Sequence, residues 1–275
     1  MILEGKPVAE KILAEVKEGI EKFGFSPGLA IVRVGEDSAS KTYVGTKLKR
    51  ASEVGITAKE YHLKETASED ELIELIHKLN NDPTVHGMIL QLPIPKHLNA
   101  NMALERIDPQ KDVDGLHPES LGKLVEGEPT FVPATPMGVM ELLNYYKIDP
   151  GSAEAVVVGR SNLVGKPMAA LLLNANATVE VCHSKTKELG SHTKRAEILV
   201  VAVGKPNLIT ADMVREGAAV IDVGMNRVEG KLAGDVDFEA IEKIARVTPV
   251  PGGVGKLTVA CLMKNVLKAA EKSQR

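Results

Sequence analysis

Apolar positions recur at helical spacing over residues 8–23, where Ile12, Leu13, Val16 and Ile20 share one face, so the pattern predicts an amphipathic helix. Residues 28–34 run apolar rather than alternating, which predicts a buried strand. Gly35 to Ser38 then reads as a turn, with Ser38 as N-cap of a helix over 39–54 that Gly55 stops. A strand over 57–63, a helix over 69–80, a strand over 85–92 and a short helix over 99–107 follow. Such strand–helix alternation implies parallel strands with helices on their faces, and ligands gather beyond the carboxyl ends of strands in sheets of this kind.

Residues 108–131 are polar and loop-rich and mark a boundary, and 136–147 read as a linking helix. A second series of strands follows at 155–158, 177–182, 198–203, 219–223 and 246–250, before a last helix over 255–270. The fold expected is α/β with two domains. The first covers 1–135 plus the C-terminal 255–275, whose helix packs back on it; the second covers 136–254.

Within the second domain the run Ala155 to Val158 is followed by Gly159 and Gly165 bracketing a tight loop, and by Pro167 where a first helical turn tolerates it. Strand, glycine loop and helix N-terminus together hold the phosphates of a dinucleotide in Rossmann-like parallel sheets. The spacing Gly159-x5-Gly165 is not the common G-x-G-x-x-G, and an ordinary strand–helix turn would read the same. The strand over 177–182 runs into His183, Ser184, Lys185 and Thr186. Hydroxyl and basic groups at that point suit the 2′-phosphate of NADP, where an acidic residue would suit the ribose of NAD. With Arg160 in the glycine loop, NADP is the expected cofactor.

Tyr43 and Lys47 lie four apart on one helix face, where a buried lysine could act as acid or base and a tyrosine could stack on a planar ring. From spacing alone a solvated face is the favoured reading, since Lys41, Lys49 and Arg50 share the segment. Lys111-Asp112-Val113-Asp114-Gly115 puts two carboxylates in one loop, suited to gripping ring N–H groups or to a plain turn. A calcium loop is rejected for lack of the bidentate glutamate, and no metal is expected. Gln91 and Pro93 end a strand, Thr248 to Gly255 combines two prolines with three glycines, and Met225 follows a strand at a glycine turn.

Composition narrows the class. The chain has 275 residues and a net charge of −3 without a long basic run, which argues against nucleic acid as partner. Two cysteines in apolar contexts, with no zinc spacing, fit a reducing cytoplasm, and neither a signal peptide nor a membrane span is visible.

In this order and spacing, the motifs Gln91-Leu92-Pro93-Ile94-Pro95, Lys111 to Gly115 with His117-Pro118, Thr135-Pro136-x-Gly138, Gly159-Arg160-Ser161-x-x-Val164-Gly165-x-Pro167 and Thr248 to Gly255 closely resemble one family. That family is the bifunctional methylenetetrahydrofolate dehydrogenase/methenyltetrahydrofolate cyclohydrolases. The resemblance implies a folate-binding catalytic first domain, a second domain for NADP, and tetrahydrofolate derivatives as substrates. It implies a homodimer and a place in the one-carbon metabolism that feeds purine biosynthesis. It implies Lys47 as the central catalytic group, Gln91 holding it, Tyr43 stacking on folate and Asp114 anchoring the pterin. Gly159, Arg160, Ser161, Gly165 and Ser184 would bind NADP with Met225 near the nicotinamide, while Pro93, Pro251, Gly252 and Gly253 would line the folate site. Departures stand at Leu116, Ser120, Ala134 and Lys256-Leu257, where the family commonly carries Phe, Asn, Cys and Pro-Met. Competing readings are a monofunctional or NAD-preferring dehydrogenase, a non-catalytic folate- or nucleotide-binding protein, and a shikimate-type dehydrogenase that shares the two-domain layout.

Overall fold

The computed structural model describes residues 1–274 and divides the chain into two compact units. One unit gathers 11–123, 128–132 and the helical residues from Val259 on; the other gathers 1–10, 124–127 and 133–258.

The first of these is built on three parallel strands, β1 (Gly28–Val34), β2 (Thr57–Leu63) and β3 (Gly87–Leu90), in the order β2-β1-β3. Central β1 buries all seven residues, its apolar run interrupted only by Arg33, whose Nε donates to Glu60 Oε1 at 2.6 Å. The helices are α1 (Gly5–Glu21), α2 (Ser38–Glu53), α3 (Glu69–Asn80), α4 (Ala100–Glu105) and α5 (Pro118–Val125). α3 is opened by a capping box between Ser68 and Glu71 and buries Leu72, Ile76 and Leu79 against Val32, Met88 and Leu90. Each such side chain contributes about 1.5–3 kcal/mol through burial.

The other unit follows α6 (Ala134–Tyr145) with β4 (Glu154–Val158), α7 (Gly165–Asn174), β5 (Thr178–Cys182), α8 (Leu189–Thr193), β6 (Ile198–Val201) and β7 (Ala219–Asp222). After the antiparallel pair β8 (Asn226–Val228) and β9 (Lys231–Ala233) come α9 (Phe238–Ile241) and β10 (Arg246–Val247). Five of these strands form one parallel sheet in the order β10-β7-β6-β4-β5. The core beneath it joins Val156, Leu199, Val220, Ile241 and Val247. The last helix, α10 (Val254–Ser273), carries the buried Asn265, which donates to the carbonyl of Val113 at 2.8 Å and so fastens to the first sheet's unit.

Several boundaries move. The first helix begins at Gly5 rather than at residue 8, because Pro7 fits a first turn. Asp37, not Ser38, caps α2, its carboxylate accepting from Ser40 N at 2.7 Å. The strand expected over 85–92 spans only Gly87 to Leu90, and that over 246–250 only Arg246 and Val247. The stretch read as loop-rich contains α5, which opens on Pro118 and buries Leu124. The hairpin of β8 and β9 was hidden because its turn places Glu229, at φ 49°, before Gly230, at φ 79°, instead of the usual Asn-Gly.

Candidate active site

α2 carries the decisive side chain. Of the basic residues on this helix, Lys41, Lys49 and Arg50 are exposed, whereas Lys47 is only 9 % exposed. The solvated-face reading therefore fails at that one position. Lys47 Nζ donates to Gln91 Oε1 at 2.9 Å. Gln91 stands one residue beyond β3, its backbone N–H bonded to Val32 O at 2.8 Å and its Nε2 donating to Leu92 O at 2.8 Å. Both ends of the amide are thus committed, and Oε1 has one direction to face. Tyr43, one turn earlier on α2, is 40 % exposed.

Asp114 supplies the nearby charge. Burial pushes the Lys47 ammonium below its ordinary value, and the Asp114 carboxylate opposes that shift. Reciprocally, burial raises the Asp114 carboxyl while Lys47 pulls it down. The loop bearing Asp114 is fixed on every side. Lys111 Nζ donates to the carbonyls of Leu79, Asn80 and Asp82 at 3.1, 2.6 and 2.8 Å. Buried Asp112 accepts from Leu116 N at 3.1 Å, His117 N at 2.9 Å and Ser120 Oγ at 2.6 Å, and burial pushes its carboxyl up to about 6. Ser120, one of the family departures, therefore still supplies a donor to this loop. Asn265 Nδ2 bonds Val132 O at 2.9 Å as well as Val113 O. Sequence reasoning missed Asn265, though an asparagine inside the apolar run of the last helix was the available signal.

The glycine loop of the parallel-sheet unit closes by backbone contact. Gly159 has φ 129°, and a Cβ there would lie 2.4 Å from Ala202 O. A Cβ on Gly165 would lie 2.2 Å from Gly159 O. Ser161 Oγ accepts from Val164 N at 3.1 Å and Gly165 N at 3.4 Å, at the start of α7. Beyond the strand ends opens a cleft of about 380 Å³ lined by Gly159, Arg160, Ser161, Ser184, Thr186 and Lys205, among others. Among the described lining residues two are cationic, three carry hydroxyls and none is acidic. Lys185 does not line it; Lys205, which sequence reasoning passed over, does. Gly165 acts through loop closure rather than as lining. Met225, Pro251, Gly252 and Gly253 lie apart from this cleft, around a smaller pocket of about 140 Å³ that Lys256 also lines. Glu180, Cys182 and His192 come together on β5 and α8, where Glu180 is taken up by His192 at 2.5 Å and Arg195 at 2.8 Å.

Two family models match the chain. Residues 3–114 match the catalytic domain, and residues 133–274 the NAD(P)-binding domain, of tetrahydrofolate dehydrogenase/cyclohydrolase. The chain belongs to the tetrahydrofolate dehydrogenase/cyclohydrolase family. A relative in Nautilia profundicola, named bifunctional protein FolD, is 52 % identical over 98 % of this chain and 97 % of its own length. The crystal structure of the bifunctional FolD methylenetetrahydrofolate dehydrogenase/cyclohydrolase from Campylobacter jejuni superposes with a TM-score of 0.97, at 48 % identity, over 99 % of both chains. A FolD from Trypanosoma brucei, solved with NADP and an inhibitor, gives a TM-score of 0.95 at 36 % identity, covering 100 % of this chain and 98 % of its own. A shikimate dehydrogenase from Aquifex aeolicus, at 11 % identity and a TM-score of 0.54, shares the fold alone. Among the described residues no helix is long and apolar enough to cross a membrane.

Proposed function

We propose that this chain oxidises 5,10-methylenetetrahydrofolate to 5,10-methenyltetrahydrofolate with NADP and hydrolyses the product to 10-formyltetrahydrofolate. The observation that carries this reading is the buried Lys47, bonded to Gln91 and balanced by Asp114, in a chain of this family. NADP supplies a hydride acceptor when bound. Arg160, Lys205, Ser161, Ser184 and Thr186 fit it, because cations and hydroxyls without a carboxylate suit a phosphate-bearing ribose. Gly159 and Gly165 shape the loop against which phosphates approach backbone amides.

The hydride leaves a carbon flanked by two nitrogens, which stabilise the resulting cation, so the first step needs positioning more than a base. Tyr43 provides a face for the planar rings, and Asp114 accepts from pterin N–H groups. Hydrolysis needs more. Water adds to the methenyl carbon and loses a proton to neutral Lys47 Nζ; the bond from that carbon to N5 then breaks as N5 takes a proton, which leaves the formyl group on N10. Burial makes that neutral amine available, and Gln91 Oε1 orients it without adding charge. Pro93 and the Pro251, Gly252 and Gly253 turn are assigned to the folate site, and Met225 to the nicotinamide, on the family resemblance. That resemblance also supports a homodimer, and a chain with only two cysteines, both buried, supports a reducing cytoplasm.

The test is a spectrophotometric assay of methylenetetrahydrofolate with NADP and, separately, with NAD. NADPH should form with NADP in preference, and methenyltetrahydrofolate should then clear. Binding of both ligands with turnover of neither would establish a binding protein instead.

A further inference from the structure

The segment that follows β6 and walls the cofactor cleft is held from behind by a fully buried carboxylate. Val203, Gly204 and Lys205 direct three consecutive amide N–H groups at Asp235, at 2.7, 2.9 and 2.9 Å. Val203 and Lys205 line the cleft itself. Asn226 Nδ2 donates to the same carboxylate at 2.8 Å. Asp235 is seated in turn by Asp222, whose Oδ1 accepts from Asp235 N at 2.9 Å and from Gly224 N at 2.8 Å. Two glycines clear the space. A Cβ at Gly224 would come 2.3 Å from Asp235 Cγ, and one at Gly234 would come 1.8 Å from Asp222 Oδ2. Neither carboxylate takes part in the chemistry assigned above.

Successive N–H groups pointing one way form an anion-binding concavity, and they repel one another unless an anion fills it. Here the chain supplies the anion. We infer that Asp235 is a positioning residue for NADP, clamping the Val203, Gly204 and Lys205 backbone so that its outer side keeps the shape the cofactor binds. The inference rests on the NADP reading given above. It also explains why an amide cannot substitute. Asp235 Oδ2 receives Val203 and Gly204, while Oδ1 receives Lys205 and Asn226, so either orientation of an asparagine sets its NH2 against a backbone N–H.

The experiment compares full-length wild type, Asp235→Asn and Asn226→Ala. It measures the NADP Kd by calorimetry, KM and kcat of the dehydrogenase, cofactor-free hydrolysis of methenyltetrahydrofolate, and thermal melting. Losing a buried charge-assisted clamp should raise the NADP Kd and KM of Asp235→Asn by about tenfold or more. Hydrolysis, carried by Lys47 and Gln91, should stay within about twofold, since neither residue shares a partner with Asp235. Asn226→Ala, which removes one donor and keeps the carboxylate, should raise the Kd by about two- to threefold, and it decides the matter if Asp235→Asn does not fold. An unchanged NADP Kd in a folded Asp235→Asn would overturn the inference. So would equal loss of both activities there with an unaltered Kd in Asn226→Ala. Should wild type bind NADP but turn over no folate, the proposed reaction fails while the Kd comparison still judges Asp235.

Discussion

The surroundings of Lys47 and of Gly159 are organised by opposite means. Around Lys47, side chains from distant parts of the chain hold one another: Gln91 bonds the amine, Asp114 balances it, and Asp112, Ser120 and Asn265 fix the loop that bears Asp114. Around Gly159 the determinants are backbone atoms, those of the seven-residue stretch 159–165 and the carbonyl of Ala202, and the essential side chains are those that are missing. A site that moves a proton needs a group with an altered acidity, which only burial among other side chains provides. A site that holds a diphosphate needs amides at close range, which a glycine loop provides locally.

That contrast is broken most sharply from the Lys47 side. Methionine matches the lysine stem in an apolar setting, so Lys47→Met should fold, yet hydrolysis of methenyltetrahydrofolate should fall by about 10²- to 10⁴-fold. The NADP Kd, measured by calorimetry, should not move. The pH profile gives the same group a second signature. Burial depresses the Lys47 ammonium, so if Lys47 is the base, hydrolysis by wild type should rise with pH as the neutral amine forms and level off once it predominates. Asp114 opposes the depression, so Asp114→Asn should move the rise to lower pH.

A single methyl group tests the other side. In Gly165→Ala the new Cβ would meet Gly159 O at 2.2 Å and Arg160 N at 2.7 Å. Relief requires the loop to open, at a cost of about 1–3 kcal/mol, which equals about a five- to 150-fold loss if it falls on NADP affinity. Cofactor-free hydrolysis should persist. Loss of hydrolysis in step with NADP binding would show that the two sites are not separable in this way.

The same difference governs what the sequence made legible. Periodicity located β1 and α3 at their observed bounds, because a fully buried strand and a capped amphipathic helix leave clear patterns. The glycine pair could be read as a loop from spacing alone. Lys47 could not be separated from Lys41, Lys49 and Arg50 by spacing, since all four are cations on one helix and only the packed structure buries one of them. Lys205 and Asp235 escaped notice for a related reason. One lies in a turn after a strand and the other 30 residues further on, and their link is a backbone N–H that no side-chain pattern reports.

Lys205→Ala offers the smallest effect and the finest discrimination. The side chain is exposed at the rim of the cleft, so water screens its charge, and its loss should raise the NADP KM by only about two- to fivefold. The backbone amide that Asp235 holds survives the substitution, which separates the ammonium from the clamp. Comparison with NAD then locates the charge. If Lys205 faces the 2′-phosphate, the NADP KM rises, the NAD KM stays constant, and added salt erases the difference between variant and wild type. A parallel rise for both cofactors would set Lys205 against the shared diphosphate, leaving Arg160, Ser184 and Thr186 to discriminate the two.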